Sequence, residues 1–339
     1  MNCRIYILLV ILISLVSCKD IDIVDIEEFQ LNVPSSLPDI QWPEENQFSQ
    51  VRWQLGKKLF YDERFSDDNA VSCASCHKPH LAFSDEVALS EGSNGALGTR
   101  NSPTLTNVAY NTSYTRDGTL ATLEQQILVP IQEHNEFNSN IILIADELAN
   151  DVEYQHLSEQ AYNRPLDYYV ITRALATFER SLISGTSAYD YYSFGVGEPK
   201  TFSESAKRGM ELFFSDKTSC FECHGGSNFT TYDFENNGLY AEYNDVGRYR
   251  FTFDENDIGK FKIPTLRNIE LTGPYMHNGS ISTLEEVIEH YNSGGNDHMN
   301  KSDFIRPLNL TSSEKSDLVA FLKSLTDPEF ISNKHLAND

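Results

Sequence analysis

Two pentapeptides of the form Cys-x-x-Cys-His constrain this chain more than any other feature of its sequence. They are CASCH at residues 73–77 and CFECH at residues 220–224, and they use four of the six cysteines. This spacing is typical of c-type haem attachment, in which two thiols add to the haem vinyl groups and the adjacent histidine ligates the iron. We therefore expect two covalently bound haem c groups. The residues expected to hold them are Cys73, Cys76, His77, Cys220, Cys223 and His224.

Other uses of paired cysteines explain the pattern less well. A Cys-x-x-Cys pair can be a redox-active dithiol or a structural disulfide, and two pairs can form a four-thiolate zinc site. None of these requires a histidine directly after the second cysteine, and here it occurs twice. The motif therefore favours haem, with disulfides within each pair as the main alternative.

The N-terminus predicts export from the cytoplasm. An apolar run at residues 5–17 follows Arg4, as in the core of a secretory signal peptide. The run ends in Leu-Val-Ser-Cys, which resembles the lipobox of bacterial lipoproteins. On that resemblance residues 1–18 form a lipoprotein-type signal, and Cys18 becomes a lipid-anchored N-terminus in the periplasm or cell envelope. Cleavage by ordinary signal peptidase, with Cys18 incidental, is the alternative.

Charge limits the partners of the chain. Its 339 residues carry a formal net charge of −24, with a sequence pI of about 4.7. Nucleic-acid binding is excluded because phosphate contacts need basic surface. An acidic chain can instead steer a basic redox partner. Residues 19–47 are acidic and proline-containing, and they predict a tether or an extended arm over the first domain.

The chain contains an internal duplication. Residues 103–126 align without a gap with residues 264–287, at an offset of 161. A second similarity precedes each haem motif, where Gly56 recurs as Gly209. Residues of the first repeat that recur in the second include Pro103, Thr104, Leu105, Asn107, Gly118, Thr122, Leu123 and Glu124.

Apolar residues at helical spacing surround both haem motifs, and no stretch shows the alternation of a strand. The sequence therefore predicts an all-α fold with two cytochrome-c-like haem domains related by internal duplication. We place the N-terminal domain at residues 48–195 and the C-terminal domain at residues 196–339, because glycines and a proline interrupt the chain near the boundary.

The two halves differ at one chemically important position. Tyr291 of the second half corresponds to Pro130 of the first at the offset of 161. Tyrosine can supply an oxygen ligand to iron, whereas proline has no side-chain donor atom. An iron with a strong sixth ligand mainly transfers electrons, and one with an open position can bind peroxide. The difference predicts one redox relay and one reactive centre.

A family resemblance extends from about residue 55 to residue 325. It is carried by LFYDERFS, TRNSPTLTNVAYN, PIQEHNE, KRGMELF, CFECHGG, PTLRNIELTGPYMHNG and STLEEVIEHY. On these stretches the chain resembles the bacterial di-haem cytochrome c peroxidase family, and most closely its MauG-like branch.

The resemblance implies a role for each haem. The first haem, with His77 proximal, would be the peroxidatic one. Glu136 falls at the family's distal glutamate and would act as general acid–base, with Gln126 and Pro130 lining the same pocket.

The second haem would be the electron-entry haem. Its distal ligand is methionine in ordinary members and tyrosine in the MauG-like branch, so Tyr291 is expected opposite His224, with Met299 as the alternative ligand. A possible calcium site would use the Asn101 side chain with the carbonyl oxygens of Thr272 and Pro274.

Two departures from the family pattern bear on function. Many members carry a histidine in the loop after the first haem, which blocks the iron until the second haem is reduced. Residues 90–103 of this chain contain no histidine, which predicts an iron that is open without reductive activation. The family also places a tryptophan between the haems, where this chain has Arg116.

We therefore predict a di-haem peroxidase that reduces hydrogen peroxide to water, with electrons relayed from the second haem to the first. A small redox protein or a quinol-linked donor would supply the electrons, and family members are often homodimers. The alternatives are a MauG-like oxidant of a partner protein and a non-catalytic di-haem electron-transfer cytochrome.

Overall fold

Helices dominate the fold, in agreement with the predicted all-α class. The computed structural model describes residues 27–338, so the predicted signal peptide, Cys18 and the first part of the arm lie outside it. One small antiparallel sheet pairs β1 (Phe234–Glu235) with β2 (Phe261–Lys262). The helices are α1 Gln50–Phe60, α2 Cys73–Cys76, α3 Leu123–Gln126, α4 Leu128–Gln132, α5 Ile141–Leu148, α6 Val152–Tyr162, α7 Tyr168–Arg180, α8 Ala188–Phe194, α9 Glu204–Phe213, α10 Cys220–His224, α11 Tyr249–Thr252, α12 Leu284–Ser293, α13 Ser312–Lys323 and α14 Pro328–Ile331.

Side-chain caps fix where the principal helices begin. Ser49 accepts a hydrogen bond from a backbone N–H of α1, and Asp167 and Ser203 do the same for α7 and α9. Thr283 and Thr311 form capping boxes with a glutamate in the first turn of α12 and α13. Each cap satisfies a backbone donor that the helix cannot pair internally.

The duplicated helices cross at duplicated glycines. At Gly56 in α1, a Cβ atom would lie 2.0 Å from the carbonyl oxygen of Ala174 in α7. At Gly209 in α9, a Cβ atom would lie 1.9 Å from the carbonyl oxygen of Asp317 in α13. Only glycine permits the two backbones to approach so closely. The recurrence of this residue before each haem motif therefore reflects a helix crossing that is repeated in both halves.

The two halves bury separate hydrophobic clusters. The first is centred on Trp53, Phe60 and Phe178, and the second contains Phe213 and Phe321. Both are rich in aromatic rings, which contribute large apolar area and tilted ring contacts. The predicted domain limit at residues 195 and 196 stays a prediction.

The repeated Pro-Thr-Leu segments dock in the same way in each half. Asn107 and Asn268 both adopt a left-handed backbone conformation, with φ of 58°. The Oδ1 atom of Asn107 accepts a 2.8 Å hydrogen bond from the backbone of Ser184, and that of Asn268 accepts a 2.8 Å bond from the backbone of Asp327. The duplication is thus preserved in hydrogen bonding as well as in sequence.

The described part of the N-terminal arm packs against α1. The ring of Phe29 stacks on Trp53 with 4.3 Å between centroids, and Glu27 pairs with Lys57 at 3.0 Å. Within residues 27–338, every helix is too short or too polar to cross a membrane.

The helix crossings generate a stability prediction. Gly56→Ala and Gly209→Ala should each lower the free energy of unfolding by about 1–3 kcal/mol or more, because the new methyl group would overlap a backbone carbonyl. Thermal melts of the holoprotein measure the effect. Gly98→Ala is the control, since its Cβ would make only an ordinary 3.5 Å contact. Equal melting temperatures for all three variants would contradict the proposed role of the crossings.

Candidate active site and second haem site

The haem-motif histidines are oriented by backbone carbonyls. His77 follows α2, and its Nδ1 lies 3.0 Å from the carbonyl oxygen of Phe83. His224 ends α10, and its Nδ1 lies 3.1 Å from the carbonyl oxygen of Phe229. A carbonyl oxygen can only accept, so Nδ1 carries the proton and Nε2 keeps its lone pair for a metal. Desolvation lowers the pKa of both imidazoles, to about 4 for His224, which keeps them neutral.

The four cysteines of the motifs are not joined in disulfides. Each pair lines a cavity together with its histidine. The cavity at His77, here called the first cavity, has a volume of about 80 Å³. The cavity at His224, the second cavity, has a volume of about 220 Å³ and mostly apolar walls. Thiols, an imidazole nitrogen and apolar walls together fit a covalently attached haem.

Two cations on the wall of the second cavity strengthen this fit. Arg116 and Lys262 are half-buried there, and neither forms an ion pair with a carboxylate in the part of the chain that is described. Desolvation lowers the pKa of Arg116 to about 10 and that of Lys262 to about 8. Haem propionates would supply the negatively charged partners that Arg116 and Lys262 do not have among the described carboxylates.

The first cavity brings together all the residues predicted for peroxide chemistry. Gln126, Pro130 and Glu136 line it with His77. Glu136 is exposed in the open cavity, yet the surrounding protein desolvates its carboxylate and raises its pKa above the usual range, and the charge of Glu133 adds to this effect. A raised pKa makes a carboxylate a stronger proton acceptor, as a general base requires.

The loop at residues 90–103, which contains no histidine, packs directly on the backbone of Glu136. The N–H of Ser93 donates a 2.7 Å hydrogen bond to the Glu136 carbonyl oxygen. At Gly92, a Cβ atom would lie 2.6 Å from that same oxygen, so glycine is required for the contact. The loop therefore holds Glu136 at the cavity instead of delivering a ligand to it.

The second cavity contains the predicted tyrosine. Tyr291, on α12, lines it with His224, and desolvation raises the pKa of Tyr291 to about 12. Met299, the alternative ligand, lies outside this lining with its side chain 81% exposed. Met276 and His277 also line the cavity, but Met276 accepts a hydrogen bond from Asn237 and His277 is stacked on a phenylalanine ring.

The predicted calcium ligands do not form an open cation site. The Asn101 side chain is buried, and its Oδ1 accepts a 2.8 Å hydrogen bond from Nη2 of Arg116. The backbone oxygen of Asn101 accepts a second bond, of 2.9 Å, from Nε of the same guanidinium. A positive side chain thus occupies both Asn101 oxygens, and with Arg116 in place Asn101 does not fit the role of a calcium ligand beside Thr272 and Pro274.

Two charged residues of the cavity walls, Glu179 and Lys262, are not among the site residues that the sequence predicts. Glu179 is buried in the wall of the first cavity, where its Oε2 has no hydrogen-bond partner and desolvation raises its pKa to about 8. Glu179 lies four residues after Leu175, and this helical spacing predicts that its side chain faces the interior with the apolar side of α7. Lys262 of β2 had no comparable signal, because it enters the second cavity only through folding.

Comparisons with known proteins show what the chain is similar to. Residues 50–197 match the family described as di-haem cytochrome c peroxidase, and residues 206–326 match the family described as cytochrome c. Methylamine utilization protein MauG of Methylorubrum extorquens is 36% identical, covering 86% of this chain and 82% of that protein. Cytochrome c551 peroxidase of Nitrosomonas europaea is 31% identical, covering 82% of this chain and 81% of that protein.

A solved structure shows the same architecture. The crystal structure of a MauG-like protein associated with microbial copper homeostasis superposes with a TM-score of 0.86 at 34% identity, covering 91% of this chain and 99% of that one. The fold, the two haem motifs and these relatives lead to one conclusion: the chain belongs to the di-haem cytochrome c peroxidase family, which includes MauG, and is a peroxidase-type oxidoreductase with two haem c groups.

Proposed function

We propose that the chain reduces hydrogen peroxide to water in the first cavity, with electrons that enter through the haem of the second cavity. The contrast between the cavities carries this proposal. Tyr291 lines the second cavity with His224. Among the described residues, the first cavity has no methionine, tyrosine, lysine or second histidine in its lining. The second cavity thus offers a side-chain ligand for an iron besides its histidine, and the first cavity would leave that place to substrate.

Glu136 acts as the proton carrier. The haem iron, when bound, supplies the peroxide-binding position and the redox equivalents. The Glu136 carboxylate takes the proton from one peroxide oxygen and returns it to the other, which leaves as water when the O–O bond breaks. The remaining oxygen becomes a second water by taking up two protons, and the two electrons required come from the external donor through the second haem. Proton transfer of this kind typically contributes 10²–10⁴-fold in rate. Desolvation raises the pKa of Glu136, which makes its carboxylate a stronger base for the peroxide proton.

Pro130 and Gln126 shape the space in which peroxide binds. Pro130 lies in α4 and offers no side-chain donor to the iron, while its carbonyl oxygen accepts a 3.1 Å hydrogen bond from the backbone of Phe137. This bond positions the residue directly after Glu136. The amide of Gln126 can hydrogen-bond a peroxide oxygen from the cavity wall.

The second haem serves as an electron relay. His224 and Tyr291, which line the same cavity, are the residues that would hold its iron. A phenolate oxygen is a harder ligand than a thioether, so it stabilises the ferric state and lowers the reduction potential. Electrons would come from a small redox protein or a quinol-linked donor, and the negative charge of the chain favours a basic partner.

A second candidate function is MauG-like oxidation of residues on a partner protein. Two features favour it: Tyr291 is present in place of methionine, and residues 90–103 contain no blocking histidine. Arg116, in place of the tryptophan between the haems, argues against it, because a guanidinium is not a redox station.

The location and assembly belong to the same proposal. Export by residues 1–18 with lipidation of Cys18 would place the enzyme in the periplasm or cell envelope, with residues 19–47 as the connection to the N-terminal domain. The mass of the mature N-terminal peptide tests the lipid. A homodimer is the proposed assembly, and light scattering of the holoprotein tests it.

Glu136→Gln tests the proton carrier. Peroxide turnover of the holoprotein should fall by about 10²–10⁴-fold, because the amide cannot accept the proton. In the parent protein, activity should fall as pH decreases through the pKa of Glu136, and this limb should lie at higher pH than for an ordinary glutamate because the pKa is raised. The residual activity of Glu136→Gln should not show this fall at acidic pH.

Glu133→Gln is the matched control, since Glu133 is an exposed neighbour that does not line the cavity. Its turnover should stay near the parent value. The loss of activity at acidic pH should occur at slightly lower pH, because the charge of Glu133 no longer raises the pKa of Glu136. Parent-like turnover of Glu136→Gln would contradict the assignment.

Tyr291→Met tests the sixth ligand of the second haem. The reduction potential of that haem should rise, because a thioether stabilises ferrous iron better than a phenolate does. Tyr291→Phe should convert the same haem to high spin. Redox titration followed by visible spectroscopy measures both effects. Met299→Leu is the control and should change neither; a changed spectrum in this variant alone would reassign the ligand.

A further inference from the structure

We propose that the guanidinium of Arg116 is a built-in cation between the two haem cavities and replaces a calcium ion there. The side chain makes two hydrogen bonds to one residue: Nη2 to Oδ1 of Asn101 at 2.8 Å, and Nε to the backbone oxygen of Asn101 at 2.9 Å. Both of the oxygens that Asn101 could offer to a hard cation are therefore already bound to a positive charge.

The orientation of Asn101 is fixed independently. Its Nδ2 donates a 3.1 Å hydrogen bond to the carbonyl oxygen of Val87, so Oδ1 must point the other way, toward Arg116. The residue is 4% exposed and cannot turn outward without losing these bonds. Its backbone N–H donates to the carbonyl oxygen of His277 at 2.9 Å. Asn101 thus presents an acceptor pair that requires a buried cationic or donor group.

The position lies between the cavities. Arg116 and His277 line the second cavity, and Arg100 and Ser102, on either side of Asn101, line the first. The bonds between Arg116 and Asn101 therefore tie together segments that form the walls of both haem sites. A metal ion bound to the same oxygens would have the same connecting role.

The surrounding charges favour the guanidinium over an added divalent ion. The two nearby carboxylates, Asp117 and Asp245, are engaged by Arg100, at 2.9 Å and 2.7 Å. Lys262 adds a further positive charge, and its backbone N–H donates to the Arg116 carbonyl oxygen at 2.7 Å. Calcium sites need several oxygen ligands, usually including carboxylates. Here Asp117 and Asp245 are already paired with Arg100, so neither offers an uncommitted charge to the ion.

The experiment uses the holoprotein and reads out calcium content and melting temperature, so its result does not depend on the peroxidase proposal. The parent protein, desalted into calcium-free buffer, should contain well below one calcium ion per chain by elemental analysis. Its melting temperature should be the same, within about 1 °C, with EGTA or with millimolar calcium, because a ligand that does not bind cannot stabilise.

Arg116→Gln should uncover the site. Without the guanidinium, the Asn101 oxygens become available, and the variant should melt lower than the parent and recover by several degrees when calcium is added. Arg248→Gln is the matched control: Arg248 contacts the Asp117 backbone nearby but not Asn101, so its loss should give no calcium response. If Arg116→Gln does not fold, Arg116→Lys decides, and it should fold and remain indifferent to calcium.

Three results would overturn the proposal. The first is a parent protein that holds about one calcium ion per chain and loses stability in EGTA. The second is an Arg116→Gln variant that melts like the parent and ignores calcium. The third is an Arg116→Lys variant that binds calcium.

Discussion

The chemistry of this protein depends on two hydrogen bonds that fix the haem-motif histidines. The carbonyls of Phe83 and Phe229 accept from Nδ1 of His77 and His224, and both phenylalanines adopt a positive φ, of 57° and 51°. This uncommon conformation turns the chain back just after each motif, so the imidazole has one tautomer and one orientation. Because the same turn occurs in both halves, the two irons would start from equivalent proximal environments.

What differs is the opposite wall of each cavity. The repeated segment that begins at Thr122 and Thr283 brings Pro130, on α4, into one cavity and Tyr291, on α12, into the other. The first half then adds Glu136, whose backbone is held by a loop, residues 90–103, that contains no histidine. A single repeated scaffold can therefore separate catalysis from electron supply by changing a few residues on the distal side. Arg116 adds a further difference, since it fixes charge between the cavities where the family pattern has an aromatic ring.

Much of this arrangement could be predicted from the sequence. The motif spacing indicates the haem sites, and the offset of 161 reveals the duplication and the contrast between Pro130 and Tyr291. Resemblance to a family placed Glu136 at the first cavity. The recurrence of Gly56 and Gly209 was visible too, but its reason, an approach of two helix backbones, became clear only in three dimensions.

The remainder depends on contacts between distant segments. Arg116 meets the oxygens of Asn101 because two irregular segments pack together, and no periodicity encodes which atoms pair. For the same reason, the sequence does not indicate that Lys262 lines the second cavity. It also does not indicate that Arg116 would engage the oxygens of Asn101, which resemblance predicts to be a calcium ligand. A pattern identifies the inward face of a helix, but it does not identify the partner of each polar group on that face.

Electron paramagnetic resonance of the fully oxidised holoprotein tests the central claim most directly. Two ferric signals of equal amount are expected: one high-spin, from the haem of the first cavity, and one low-spin, from the haem with Tyr291. Two low-spin signals, with a protein side chain bound to both irons, would contradict it and would leave an electron carrier in place of an enzyme.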